Sequence, residues 1–290
     1  MAENKTVGGG SLLIAWQLKG KKVLIVGGGE VGAQRIDSLL TTDAHIDLVS
    51  PSAGLHPRSK GFLEKYPSRI THIDQEFAFI DGRQTTTAFI DVGTYDMVLT
   101  ALDDNALSRQ IVEVCRAIRV PVNAADIPEL CDFYFGGQVR DGPLQIMIST
   151  NGNGPRIAAL IKDRVKNALT GKEGDALTKV GILRTKLKER APGVGGDVGR
   201  RRMRWMSKLC EQWSLEDFAL LNEEAMDQLL DEGWEHNAVP LPVQVVGKRK
   251  IGGILEAITT DWVRSLPSFT SFLAGIGFAH IVFRLYQARK

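Results

Sequence analysis

The stretch from Val23 to Leu40 restricts the possible folds of this 290-residue chain more than any other. Residues 23–26 are all apolar and indicate a short buried strand, which leads directly into a glycine-rich turn. Apolar residues then recur at helical spacing over 33–40. Strand, glycine turn and helix in immediate succession are typical of the start of a doubly wound α/β sheet.

The turn itself matches the pattern G-x-G-x-x-G at Gly27, Gly29 and Gly32, with Glu30 and Val31 before the last glycine. In such turns the first glycine permits the bend, the second lets a pyrophosphate approach, and the third lets helix and strand pack closely. N–H groups at the helix start then face the phosphates. We therefore expect these five residues to bind NAD, although a purely structural turn would use the same glycines.

Strands and helices continue to alternate up to about residue 126, which predicts a doubly wound parallel sheet of Rossmann type. Ligands bind such sheets at the carboxyl ends of the strands. Further strands are predicted at 46–49, 70–77, 97–101 and 120–124, and a helix at 106–118.

The ends of two of these strands supply further candidates for cofactor binding. The second strand ends at Ser50, where related folds place a carboxylate on the ribose of NAD, so this position does not distinguish NAD from NADP. The fourth strand ends near Thr100 and Asp103, which we expect to line the cofactor cleft. Alternatively, Asp103 or Asp104 caps the helix that follows.

Beyond residue 126 the pattern changes to a hairpin and then to helices. The turn sequence Arg-Asp-Gly-Pro at 140–143 separates two apolar stretches, and Pro155 is suited to begin a helix. We predict strands at 133–139 and 144–149, a helix at 155–169, and helical structure over 175–231 with a loop at 191–196.

Charge is distributed unevenly along the chain. Lys and Arg number 36 and Asp and Glu 34, so the net charge of +2 gives no case for a nucleic-acid partner. Residues 156–208, however, hold fifteen Lys and Arg against five Asp and Glu. Because Arg pairs bidentately with carboxylates, Arg156 and the run at 200–204 are candidates for binding an anionic ligand, with a solvated helix face as the alternative.

Cysteine and histidine positions bear on metals and on the compartment. The three cysteines are far apart and none of the five histidines stands at ligand spacing, so we predict neither disulfides nor a preformed metal site. A reducing compartment and the absence of a signal pattern favour the cytoplasm. The apolar run at 269–283 is shorter than the roughly 20 residues that span a bilayer, which leaves membrane contact as a lesser alternative.

Four stretches together resemble a known family. They are the stretch from Gln17 through the glycine turn, Leu48-Val49-Ser50-Pro51, the pair 122–126 and 130–136 (Val-Asn-Ala-Ala-Asp and Leu-Cys-Asp-Phe-Tyr-Phe-Gly), and 145–152 with Pro155-Arg156. With these residues the chain resembles the fungal bifunctional siroheme synthases, from about residue 12 to about residue 235.

The resemblance implies both an activity and a domain order. Members of that family oxidise precorrin-2 to sirohydrochlorin with NAD⁺ and then insert Fe²⁺, a substrate, to give siroheme. The implied partners are the tetrapyrrole and a second subunit in a homodimer. The implied parts are a dinucleotide-binding domain (1–132), a dimerisation segment (133–170) and a helical domain (171–236), followed by a tail (237–290) of unassigned role.

Asp126 is the candidate catalytic residue, because it matches the aspartate of the family's Asn-x-x-Asp motif. It also follows the fifth predicted strand, at the sheet edge where the nicotinamide would lie. A carboxylate there suits the removal of protons during both dehydrogenation and metal insertion. The structural alternative is that Asp126 caps a turn before Pro128.

The candidate substrate-binding residues are Asn123, Ser149, Thr150, Asn151 and Arg156. For Asn123 a local hydrogen bond is the competing interpretation. The stretch 149–151 could bind an anion at the following helix or simply lead into that helix.

We expect the aromatic residues at 133–135 to pack in the hairpin core rather than under a porphyrin.

Two functions other than that of an enzyme are the alternatives. A non-catalytic dinucleotide or tetrapyrrole sensor would keep the same fold, but the intact glycines and Asp126 argue against it. A nucleic-acid-binding regulator lacks a helix-turn-helix pattern.

Overall fold

The computed structural model describes residues 9–80, 83–84 and 89–247. The predicted apolar run at 269–283 and most of the predicted tail lie outside the described residues. The chain divides into two compact units. The first comprises residues up to 139 together with 145–168, and the second comprises 140–144 together with the residues from 169 onward.

The first unit is built on a five-stranded sheet in the order β3-β2-β1-β6-β7, and every neighbouring pair is parallel. These strands are β1 (Lys22–Val26), β2 (His45–Val49), β3 (Ile70–Ile73), β6 (Met97–Thr100) and β7 (Val122–Ala124). The order reverses between β1 and β6, which is the switch point at which such sheets bind ligands. The predicted doubly wound parallel sheet is therefore confirmed.

Helices cover both faces of this sheet, which explains why its central strands are continuously apolar. The helices of this region are α1 (Glu30–Leu40), α2 (Pro57–Lys65) and α3 (Asn105–Ala117). On one face Ile36 and Leu39 of α1 are buried against the sheet, and on the other Ile111 and Val112 of α3 are buried.

The third strand is shorter than the predicted 70–77. It ends at Ile73 because the next residue, Asp74, turns away to accept hydrogen bonds from Ser52 N at 2.7 Å and Ser52 Oγ at 2.5 Å. Two short antiparallel strands that were not predicted follow, β4 (Phe79–Ile80) and β5 (Arg83–Gln84).

The predicted hairpin is present but starts later than residue 133. It consists of β8 (Gly137–Asp141) and β9 (Leu144–Ile148), joined by two residues, of which Gly142 has φ +52°. The expectation that the preceding aromatic residues belong to the hairpin core is wrong, because Phe133 and Phe135 pack against the core of the first unit.

Helices dominate the rest of the described chain, as predicted up to residue 231. They are α4 (Pro155–Ala168), α5 (Glu173–Arg190), α6 (Gly196–Gln212), α7 (Leu215–Ala219), α8 (Glu223–Gln228), a π-helix (Leu229–Trp234) and α9 (Pro242–Val245). The helix α9 lies in the tail, for which no structure was predicted. The break between α5 and α6 coincides with the predicted loop.

The second unit has its own aromatic and aliphatic core. Leu183, Leu209 and Phe218 are buried together with Trp205 and Trp213. The two indole N–H groups donate to backbone carbonyls of the segment that follows the π-helix, at 2.7 and 2.9 Å. Among the described helices, none combines the length and the apolar character that a bilayer crossing requires.

Candidate functional site

The glycine turn after β1 has the geometry that its sequence pattern predicts. Gly27 has φ +107°, and a Cβ there would lie less than 3.0 Å from the carbonyl oxygen of Ala101. A Cβ on Gly32 would lie less than 3.0 Å from the carbonyl oxygen of Gly27. Because neither position has room for a side chain, the first glycine makes the bend and the third allows α1 to pack on β1.

Gly29 differs from these two glycines, since a Cβ there would meet no atom within 4 Å. It is the N-cap residue of α1, and no side chain caps the helix start. The N–H groups of the first helical turn, at Glu30, Val31 and Gly32, therefore have no side-chain acceptor from a cap. Open space beside uncapped N–H groups fits the pyrophosphate of a dinucleotide.

A cavity of about 260 Å³ adjoins this turn at the carboxyl edge of the sheet. Ser50, a predicted cofactor residue, is one of its lining residues. The full lining is Val26, Gly27, Val49, Ser50, Pro51, Gln75, Glu76, Phe77, Leu102 and Leu107. The mainly apolar walls and few polar groups are typical of a small-molecule site.

Of the two candidate cofactor residues at the end of β6, one is buried and the other is exposed. Thr100 is 1% exposed and its hydroxyl donates to Ser108 Oγ at 3.3 Å, so it lies beneath the cleft surface. Asp103 is exposed. The helix cap is Asp104, whose carboxylate accepts hydrogen bonds from the backbone N–H groups of Ala106 and Leu107 at 2.8 and 3.0 Å. Of the two possible caps, Asp104 is thus the one that is used.

An acidic residue does line the cavity, although it follows a strand whose end was not among the predicted cofactor positions. Glu76 follows β3, whereas the usual position at the end of β2 holds Ser50. Asp74, two residues earlier, is held by Ser52, and these hydrogen bonds lower the pKa of the Asp74 carboxyl below its usual range. A negative charge at this end of the cleft suits a ribose 2′-hydroxyl rather than a 2′-phosphate.

Asp126 follows β7 at the same edge of the sheet. Its φ is +61°, it is exposed, and its carboxylate accepts no hydrogen bond from any residue that the structure describes. The turn is closed instead by the backbone, where Ile127 N–H donates to Ala124 O at 3.4 Å. The alternative that Asp126 caps the turn is therefore not supported. An uncommon backbone conformation at an exposed, unpaired carboxylate is a feature of functional sites.

Asn123 lies on β7 and is 3% exposed. Its Nδ2 donates to the carbonyl oxygen of Phe133 at 2.8 Å, which is the predicted local hydrogen bond. Its Oδ1 is buried and has no hydrogen-bond partner within the described chain. A buried acceptor without a partner is rare in folded proteins and marks a position that the packing of this unit alone does not explain.

Arg35, which lies on α1, was not among the site residues predicted from the sequence. Its guanidinium carbon is 4.4 Å from the centre of the Phe135 ring. Burial lowers the pKa of Arg35, while the groups of Cys131 and Asp126 act in the opposite direction. The signal that could have found it is a cation on a helix whose other inward positions are apolar.

The residues at 149–151 form a turn before α4. Asn151 has φ +50°, and its backbone N–H donates to Ser149 Oγ at 3.2 Å. Its side chain accepts from Ser11 Oγ and donates to Gly9 O, each at 2.8 Å. The carbonyl oxygen of Thr150 accepts from Asn153 N at 3.0 Å. Within the described structure no hydrogen bond or ion pair joins this turn to Asp126.

Arg156 and the arginines at 200–204, the candidates for binding an anionic ligand, differ in their contacts. Arg156, in the first turn of α4, is exposed. Arg200 forms an ion pair with Asp197 at 2.5 Å, and Arg201 donates to Trp234 O at 2.9 Å. Arg202 donates to carbonyl oxygens of the loop before α6. A cavity of about 400 Å³ in the second unit is lined by Arg201, Arg204, Trp205, Lys208 and Asn237.

Metal-ligating side chains are dispersed. Nowhere in the described ranges do three His, Cys, Asp or Glu side chains cluster as a metal site. Cys115 is buried, Cys131 is half-buried and Cys210 is exposed, and all three are free thiols.

Three protein families match successive parts of the chain. Residues 14–137 match the family described as "Putative NAD(P)-binding". Residues 141–168 match "Sirohaem biosynthesis protein central", and residues 171–240 match "Sirohaem biosynthesis protein C-terminal".

Individual proteins match over most of their length. A siroheme biosynthesis protein of Schizosaccharomyces pombe is 47% identical over 222 residues, which cover 77% of this chain and 79% of that protein. A siroheme biosynthesis protein of Saccharomyces cerevisiae is 33% identical over 242 residues, 71% of this chain and 84% of that protein. The solved structure of SirC, precorrin-2 dehydrogenase, has the same fold, with TM-score 0.55, 18% identity, and coverage of 77% of this chain and 98% of that one. Given the extent and identity of the fungal matches, this chain belongs to the family of siroheme biosynthesis proteins.

Proposed function

We propose that this protein is a precorrin-2 dehydrogenase that oxidises precorrin-2 to sirohydrochlorin with NAD⁺. One observation carries the proposal. The open, uncapped helix start at Gly29 and the carboxylate of Asp126, unpartnered in the described structure, both lie at the carboxyl edge of one parallel sheet. The names of the relatives, siroheme biosynthesis proteins and a precorrin-2 dehydrogenase, support it.

The residues around the glycine turn would hold the cofactor. We propose that the backbone at Gly27, Gly29, Glu30, Val31 and Gly32 binds the pyrophosphate. When bound, NAD⁺ supplies the hydride acceptor.

The adenosine half would occupy the cleft beside the turn. We propose that Ser50 lines its binding surface and that Thr100 supports that surface from beneath. Asp103, exposed after β6, is a further candidate contact. Glu76 would bind the ribose hydroxyls, and its charge supports NAD over NADP.

Asp126 would act as the general base. Oxidation of the macrocycle removes a hydride and a proton, and a carboxylate oxygen of Asp126 accepts the proton. The carboxylate is suited to this role because it is exposed and no described group competes for its oxygens. A base at this edge lies beyond the end of β7, where parallel sheets place the reacting part of a bound dinucleotide.

We further propose that the protein is bifunctional and inserts Fe²⁺, as a substrate, into sirohydrochlorin. Insertion releases two pyrrole protons, and the exposed carboxylate of Asp126 would accept them one at a time and pass each to solvent. The nitrogens of the macrocycle coordinate the iron. Support for this second activity comes from the resemblance to the fungal bifunctional enzymes.

The substrate would be bound by groups beyond Asp126. The residues that we propose are Asn123, Ser149, Thr150, Asn151 and Arg156. The buried free acceptor on Asn123 supports its assignment, and the exposed guanidinium of Arg156 suits a substrate carboxylate.

Assembly and location are also proposals. We propose a homodimer formed through residues 133–170, and the division into 1–132, 133–170, 171–236 and 237–290 remains a prediction. The family match that begins at residue 171 supports the boundary between the second and third of these parts. The free thiols support a reducing compartment, for which we propose the cytoplasm.

An anaerobic absorbance time course with precorrin-2 tests both activities. The protein with NAD⁺ should form sirohydrochlorin, and later addition of Fe²⁺ should give siroheme faster than the uncatalysed reaction. Binding of NAD⁺ and tetrapyrrole without turnover would instead favour the non-catalytic sensor. Oxidation without accelerated metal insertion would leave the dehydrogenase and remove the second activity.

A further inference from the structure

Arg35 is a cation that has no counterion within the described part of the chain. It forms no ion pair with any residue that the structure describes, and its Nε is buried without a hydrogen-bond partner. Arg58, on the neighbouring helix α2, shows the usual arrangement. It lies 5.8 Å from the centre of the Phe62 ring and is paired with Asp37 at 3.2 Å. Removing a guanidinium from water without pairing it costs free energy, so Arg35 is not explained by stability.

The surroundings of Arg35 point toward the proposed reaction site. Its guanidinium lies over Phe135, whose ring centre is 5.9 Å from that of Phe133. The backbone carbonyl of Phe133 accepts a hydrogen bond from Nδ2 of Asn123, whose Oδ1 is the second buried polar atom without a partner in the described structure. The Asp126 carboxylate acts to raise the pKa of Arg35, against the effect of burial. Arg35 and Asn123 thus each contact one residue of the pair Phe135 and Phe133, on the side of the sheet that carries α1, and each has a polar atom without a partner in the described structure.

We propose that Arg35 binds a carboxylate of the tetrapyrrole substrate and thereby holds the macrocycle against Asp126. This inference rests on the proposed function and adds a specificity residue to it. The Phe135 ring contacts the guanidinium, whose two terminal nitrogens, unlike Nε, are not among the buried atoms and remain available for a planar, bidentate partner. A carboxylate fits this edge, and it is the anionic group that precorrin-2 and sirohydrochlorin carry. Asp126 cannot serve as that partner in the described structure, because its carboxylate accepts no hydrogen bond there.

Arg35→Met tests the proposal, because Met keeps much of the volume and the contact with Phe135 while removing the charge. Sirohydrochlorin is the probe, titrated by absorbance in the absence of NAD⁺. We expect its Kd to rise on the order of tenfold to a hundredfold, the effect of losing a charge-assisted hydrogen bond. The Kd for NAD⁺ should stay within about twofold. Arg35→Lys should give an intermediate Kd, because lysine keeps the charge but lacks the planar guanidinium that pairs bidentately with a carboxylate.

Thermal unfolding distinguishes this role from a structural one. Because Arg35 is half-buried and unpaired, R35M should unfold at the same temperature as the unmodified protein or higher. Arg58→Met is the matched control, since it also removes an arginine from an aromatic ring. It should leave the Kd for sirohydrochlorin unchanged.

Each other outcome overturns the inference. Unchanged sirohydrochlorin affinity in R35M removes Arg35 from substrate binding. A weaker affinity for NAD⁺ alone assigns it to the cofactor, and a large loss of thermal stability makes it structural. If the unmodified protein binds no sirohydrochlorin, the proposed function fails as well, and the two failures are thereby told apart.

Discussion

The glycine turn and the cluster around Asp126 lie at the same edge of one sheet but are built in opposite ways. The turn consists of backbone and empty space, and a Cβ at Gly27 or Gly32 would meet a carbonyl oxygen at less than 3.0 Å. The Asp126 cluster consists of Asp126, Asn123 and Arg35, side chains that each have at least one polar atom without a partner in the described structure. A cofactor site of this type needs room and N–H groups, whereas a reaction site needs polar groups that the fold leaves unused.

The largest effect on cofactor binding should come from Gly29→Asp. The position is open and a carboxylate at an N-cap favours the helix, so the variant should fold at least as stably as the unmodified protein. The charge should nevertheless repel the pyrophosphate and raise the Kd for NAD⁺ on the order of a hundredfold in a fluorescence titration. Gly29→Asn, which adds bulk without charge, is the matched control and should weaken binding less. Undiminished NAD⁺ affinity in a folded Asp variant would refute the proposed phosphate site.

Gly32→Ala should act on stability rather than through charge. The added methyl group would press on the carbonyl oxygen of Gly27 and separate α1 from β1. We expect urea unfolding to give a free energy lower by about 1–3 kcal/mol. Gly61→Ala, an exposed position in α2 with no atom within 4 Å, should instead raise it by about 0.5–1 kcal/mol. Equal stabilities for the two variants would mean that the close contact at Gly32 is absent.

The smallest effect should come from Glu76, which we propose binds the ribose of the cofactor. Glu76→Gln removes the negative charge that we assign to the ribose, and the preference for NAD⁺ over NADP⁺ should fall by roughly tenfold in kcat/KM. Glu64→Gln, an exposed change on α2, is the control and should leave the ratio unchanged. If the ratio of kcat/KM with NAD⁺ to kcat/KM with NADP⁺ is the same in both variants, Glu76 does not bind the ribose.

The same contrast explains how far sequence analysis could go. The strand, turn and helix from β1 to α1 were predicted because every requirement there is local, namely an apolar run, glycines and helical spacing. Asp126 was predicted as the catalytic residue from its match to the Asn-x-x-Asp motif and from its position after a strand. Glu76 and Arg35 were missed because their roles depend on which strands and rings lie beside them, and periodicity carries no such information.

Two errors in predicted structure have similar causes. The strand expected from residue 133 begins at Gly137, since Phe133 and Phe135 pack on the sheet instead of pairing in the hairpin. The third strand was predicted too long because the apolar residues after it include Phe77, which is buried in the core without being in a strand.

The central claim is that the free carboxylate of Asp126 is the base of the dehydrogenation. A single-turnover absorbance experiment with Asp126→Asn, saturated with NAD⁺ and mixed anaerobically with precorrin-2, tests it most directly. Asp43→Asn, an exposed change before β2, is the control. We predict that D126N binds NAD⁺ within a few-fold of the unmodified protein while sirohydrochlorin formation slows by about 10²–10⁴-fold, and that D43N is unaffected. Formation of sirohydrochlorin by D126N at the unmodified rate would contradict the account.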